Sequence, residues 1–122
     1  MKKILILFFL IWFGLTSSSF AADFQKGLDA YNLGDFKKAI QEWKPLADSG
    51  DPDAQYALAI CYRNGLGVKI DLTKSYNLNL KAAKQGHNLA KYHAANLIID
   101  GKIYEKDGKL ALMFLEEARI SG

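Results

Sequence analysis

A spacing of 36 residues recurs along this chain of 122 residues and constrains its fold more than any other feature. It separates three glycines, three aspartates and three small side chains: Gly50, Gly86 and Gly122; Asp35, Asp71 and Asp107; Ala39, Ser75 and Ala111. Repeats of this length are typical of stacked helical hairpins, because one hairpin cannot bury its apolar face alone. The sequence therefore predicts an all-α stack of about three hairpins, with units at residues 23–50, 51–86 and 87–122.

Capping residues divide each unit into two helices. Asp35, Asp51 and Asp71 each stand where a side-chain oxygen can cap the first helical amides, and Pro52 follows Asp51 at the favoured first position. Glycines after the apolar segments supply the left-handed backbone that ends a helix.

Residues 1–21 have the pattern of a secretory signal peptide. Lys2 and Lys3 precede an apolar run over residues 4–15, which is shorter than the ~20 residues that a membrane span needs. Small residues at Ser19 and Ala21 favour cleavage after Ala21. We expect a periplasmic or secreted product, residues 22–122, with no stable membrane insertion; the alternative is an uncleaved anchor helix.

Loss of that leader nearly balances the charge. The full chain has 16 basic and 13 acidic residues, and two of the basic residues are Lys2 and Lys3. The remaining charges are interspersed, as on a solvated surface, so the basic composition gives no reason to expect a nucleic-acid partner.

The middle unit resembles the Sel-one-like repeat family, a branch of the tetratricopeptide-like helical hairpins. Residues that match its pattern are Ala54, Leu58-Ala59, Tyr62, Gly65-Leu66-Gly67-Val68, Asp71, Lys74-Ser75, Ala82-Ala83 and Gly86. Gly50 and Ala90 hold equivalent places in neighbouring units. The first unit resembles a tetratricopeptide-type entry hairpin, and the third departs from the pattern at Ile98 and at the turn that begins at Gly101.

This resemblance implies a right-handed superhelical scaffold that binds proteins or peptides, often in exported bacterial proteins acting at the envelope or on a host. On the tetratricopeptide pattern, the first helix of each hairpin lines a concave groove. The predicted groove residues are Phe24, Leu28, Tyr31, Tyr56, Ile60, Arg63, Asn64, Tyr92, Asn96 and Asp100. The alternative is that some of these rings only pack between helices.

No arrangement of residues indicates catalysis, a metal or a cofactor. His87 and His93 are six residues apart, which is not the spacing of a zinc-binding helix. Cys61, the one cysteine, lies in an apolar helix segment and is expected to be buried. We therefore predict a binding protein and not an enzyme, with a small hydrolase or a structural homo-oligomer as the alternatives.

The last helix carries apolar residues where the earlier units are polar. Leu110, Met113 and Ile120 replace polar residues of both preceding units and fall on one side of a helix. The sequence predicts that this stripe is an interface with a second copy or another helix; the alternative is that it folds against the preceding hairpin.

Overall fold

The computed structural model describes residues 23–103 and 108–121, and these residues form six α-helices. The helices are α1 (residues 23–32), α2 (Phe36–Asp48), α3 (Pro52–Asn64), α4 (Leu72–Lys84), α5 (Asn88–Ile99) and α6 (Lys109–Ser121). From α2 onward each helix packs on the next one along the chain. The expected leader, Asp107 and Gly122 lie outside the described residues.

Capping side chains set the helix starts, as the sequence predicts. The carboxylates of Asp35, Asp51 and Asp71 each accept a backbone N–H from the first turn of the helix that follows. His87 performs the same role for α5, because its Nδ1 accepts the N–H of Ala90 at 3.2 Å.

The turn between α3 and α4 needs its glycines. Gly65 and Gly67 have φ angles of 69° and 71°, in the left-handed region that side chains disfavour. A Cβ on Gly67 would also lie 2.9 Å from the backbone carbon of Phe36, so the turn packs directly on the start of α2. Val68 then packs against the first hydrophobic core.

Two hydrophobic cores fill the space between the helices. The first is built mainly from α1, α2 and α3, and the second mainly from α4, α5 and α6. Small side chains dominate both cores: Ala54, Ala82, Ala83, Ala90, Ala94 and Ala95 are all at most 3% exposed. Alanine lets neighbouring helices approach closely, and a larger side chain would overpack these crossings.

The three residues of the predicted stripe on the final helix differ in their exposure. This side chain is half-buried and packs against the second core, next to the buried Ala111 and Phe114. Met113 and Ile120 are instead 46% and 71% exposed. The predicted stripe is therefore divided, because α6 turns the Leu110 side of the helix toward α5.

Candidate functional site

An apolar groove of about 310 Å³ lies between α1, α2 and α3. Its volume is in the range that accommodates side chains or small ligands. Aromatic and aliphatic side chains make up most of its walls. The lining residues are Phe24, Leu28, Tyr31, Trp43, Asp53, Tyr56, Ala57 and Ile60.

Helical periodicity brings one face of α3 to the groove. At about 100° per residue, Asp53, Tyr56, Ile60 and Arg63 fall on the same side of this helix. The face therefore has a carboxylate at its N-terminal end, apolar side chains in the middle and a guanidinium at its C-terminal end.

Trp43 of α2 forms the opposite wall and anchors α1. Its indole Nε1–H donates a 3.1 Å hydrogen bond to the carbonyl of Phe24, and the two rings stack with centroids 5.7 Å apart. The ring of Tyr31 lies 5.8 Å from the same indole. The side chain of Trp43 is only 2% exposed, so this groove wall rests on an aromatic side chain that is almost fully buried.

Two histidines flank the ring of Tyr56. The rings of His87 and His93 lie 4.6 Å and 5.6 Å from it, measured between centroids. Each histidine also contacts one charged end of the α3 face. His87 Nε2 is 3.3 Å from Oδ1 of Asp53, and His93 Nδ1 is 2.7 Å from Nη1 of Arg63.

The contact between Arg63 and His93 determines whether Nδ1 of the His93 imidazole carries a proton. A guanidinium can only donate, so Nδ1 of His93 accepts the hydrogen bond and carries no proton. Burial, and then the charge of Arg63, lower the pKa of His93. Burial also raises the pKa of the Tyr56 phenol, against an opposing effect of Arg63.

The structure brings together half of the predicted groove residues. Phe24, Leu28, Tyr31, Tyr56 and Ile60 all line the groove. Arg63 is not in the lining, but it follows Ile60 by about one helical turn and acts electrostatically on the Tyr56 phenol. The residues outside the lining come from the last turn of α3 and from the α5 region: Asn64, Tyr92, Asn96 and Asp100. Tyr92, Asn96 and Asp100 are outside the lining because the groove is formed by α1, α2 and α3, whereas Asn64 is the exposed last residue of α3.

Sequence reasoning did not assign Trp43 or Asp53 to the groove, nor the two histidines to the neighbourhood of Tyr56. Asp53 could have been found from its position three residues before Tyr56 on the same helix face. Trp43 and His87 carry no such local signal, because the packing of separate helices places them there.

Within residues 23–103 and 108–121, no group of three His, Cys, Asp or Glu side chains is arranged to hold a metal ion. Cys61 is fully buried, and burial raises the pKa of its thiol to about 11. In the same ranges, no helix is both long and apolar enough to span a membrane.

The fold and the groove are those of a helical-repeat protein that is built from stacked hairpins. A family model for the Sel1 repeat matches residues 52–87 and 89–122. The chain therefore belongs to the Sel1 repeat family, as the resemblance of its middle unit indicates. Sel1 repeats mediate protein–protein interactions, and scaffolds of this family are generally not enzymes.

Solved structures share the arrangement of helices. A Sel1 repeat protein from Oxalobacter formigenes superimposes with a TM-score of 0.75 at 30% identity, over 88% of this chain and 84% of its own. A protective antigen of uropathogenic Escherichia coli strains, with an SLR fold, has a TM-score of 0.75 at 26% identity. That match covers 84% of this chain and 23% of the antigen.

Two curated relatives are fungal. The chitin synthase regulator SKT5 of Saccharomyces cerevisiae is 34% identical over 67% of this chain. Chitin synthase regulatory factor 3 of Schizosaccharomyces pombe is 31% identical over 69% of it. The chain spans only 12% and 9% of the lengths of these two relatives.

Proposed function

We propose that this protein is an exported helical-repeat scaffold that binds an apolar segment of another protein in the groove between α1, α2 and α3. The observation that carries this proposal is the groove itself, where aromatic walls from three helices meet around an open apolar volume of about 310 Å³. Aromatic anchors in a preformed concave surface are what peptide-binding sites use.

The architecture of the groove favours binding over a purely structural role. Ile60 lines the groove but does not belong to the side chains that pack against the first core. Ile60 is only partly buried within the chain, so a partner that covers it would remove further apolar surface from water. Tyr56 packs against the second core and also lines the groove. A bound segment would therefore contact a side chain that connects the groove with the second core.

Export is supported by the leader pattern of residues 1–21. If it directs export, the protein recovered from the expressing bacterium has a new N-terminus at Ala22. Mass spectrometry of the intact protein from periplasmic and culture fractions tests this part. A protein that retains Met1 and stays with the membrane would contradict it.

Binding is tested with a random-peptide phage library selected against the protein purified from cells that express the full chain. We expect the selected peptides to share apolar or aromatic residues. Calorimetry of synthetic versions should show a loss of binding in Ile60→Glu, because a carboxylate on the groove wall opposes apolar contact.

Ile70→Glu is the matched control. Ile70 is 64% exposed and lies outside the groove lining, so the same substitution there should leave peptide binding unchanged. Thermal melting of both variants separates loss of binding from loss of fold. Equal binding by the wild type and Ile60→Glu would refute the groove as the binding site.

A further inference from the structure

Arg63 is a half-buried cation without a carboxylate partner in the described part of the chain. Its one polar contact there is the 2.7 Å hydrogen bond to Nδ1 of His93. Lys91 provides the contrast, because its side chain is 13% exposed and its Nζ lies 2.7 Å from Oε2 of Glu117. Lys91, the other partly buried lysine or arginine among the described residues, therefore has an anionic partner, whereas Arg63 does not.

His93 cannot replace that anion. The imidazole accepts the hydrogen bond from Arg63 as a neutral group, and its protonation would place two cations in contact. A guanidinium has five N–H donors, of which the contact with His93 uses one. The remaining donors are available for a planar anion such as a carboxylate, which arginine binds in a bidentate manner.

Two phenols, those of Tyr31 and Tyr56, belong to the side chains that line the groove. Arg63 and Tyr31 both act electrostatically on the Tyr56 phenol, and Tyr31 and Tyr56 both line the groove. Neither hydroxyl forms a hydrogen bond with another residue in ranges 23–103 and 108–121. Each of these hydroxyls can therefore donate a hydrogen bond to a segment bound in the groove.

We propose that Arg63 binds a carboxylate of the segment held in the groove, so that this site selects apolar segments with an acidic group next to their anchoring side chain. The inference rests on the proposed function and adds the charge that the partner must carry. The apolar wall supplies contact area, whereas a charge-assisted hydrogen bond to Arg63 selects the register and the identity of the partner.

The test selects the same random-peptide phage library against the wild type and against Arg63→Gln. We expect apolar peptides from both proteins, with an acidic residue at a fixed distance from the apolar anchor only in the wild-type set. For a synthetic wild-type peptide, replacing that residue by its amide should weaken binding about tenfold to the wild type and leave Arg63→Gln unaffected. Peptides with a free or amidated C-terminus distinguish a side-chain carboxylate from a terminal one.

Two further variants separate charge recognition from disturbance of the groove. His93→Leu removes the hydrogen-bond acceptor of Arg63 and leaves the guanidinium charge unchanged, so the acidic preference should persist. Arg63→Glu should select basic residues at the same position. Apolar peptides without an acidic preference in the wild type would overturn this inference and leave the groove intact, whereas failure to select apolar peptides would overturn both proposals.

Discussion

The indole of Trp43 donates a hydrogen bond to the carbonyl of Phe24 while its ring stacks on the Phe24 side chain, with centroids 5.7 Å apart. This pair joins α2 to α1 and forms one wall of the groove. This packing leaves no room for a side chain between α1 and α2 beside the Trp43 indole. Gly27, one turn after Phe24, meets that requirement, because a Cβ there would lie 2.2 Å from Nε1 of Trp43.

Gly27→Ala is therefore expected to destabilise the protein. Alanine favours a helix over glycine by about 1 kcal/mol, but displacement of the indole should cost about 1–3 kcal/mol and exceed that gain. Denaturant unfolding measures the difference. Gln25→Ala on the exposed side of α1 is the control, with an expected change within about 0.5 kcal/mol. Added stability in Gly27→Ala would show that the indole moves aside freely.

His93 should make stability depend on pH. The groups that face its ring are Arg63 and Tyr56 from α3 and Tyr92 from its own helix, and its pKa is lowered from the ordinary value of 6.5. The unfolded chain therefore binds more protons in this range, and stability falls as the pH drops from about 6.5 through the lower folded pKa. Unfolding measured at several pH values should show a weaker dependence in His93→Gln. Identical profiles for the two proteins would contradict this.

Cys61 should resist thiol reagents in the folded protein. Its side chain is fully buried, and burial raises its pKa to about 11, so the reactive thiolate is scarce at neutral pH. A chromogenic disulfide reagent should react slowly with the native protein and rapidly after denaturation. Rapid stoichiometric labelling of the native state would show that the core around Cys61 opens readily.

The two sides of α6 should respond differently to the same substitution. Leu110→Lys places a charge against the second core and should cost about 1–3 kcal/mol, while Ile120→Lys affects a side chain that is 71% exposed and should change stability by less than about 0.5 kcal/mol. Thermal unfolding of the two variants provides the comparison. Equal losses would indicate that Ile120 is covered in solution, as the stripe prediction requires.

The helix starts could be predicted because their interactions are local. Asp35, Asp51 and Asp71 cap the amides of residues two or three positions later, so neither partner depends on the rest of the fold. The side of α3 that carries Tyr56 and Ile60 was predictable because the helical period places both residues on one face and the tetratricopeptide pattern assigns that face to the groove.

The tertiary structure alone decided how these faces meet. The contacts that complete the candidate site join residues 19 to 34 positions apart, such as Trp43 with Phe24, Arg63 with His93 and Asp53 with His87. Contacts between helices also explain why Leu110 is partly buried while Met113 and Ile120 on the same helix are exposed. The sequence determined the helices, their caps and their repeat, because these follow from neighbours along the chain. Which side chains converge was set by the angles at which alanine-rich helices pack, and those angles depend on the close packing of both cores together.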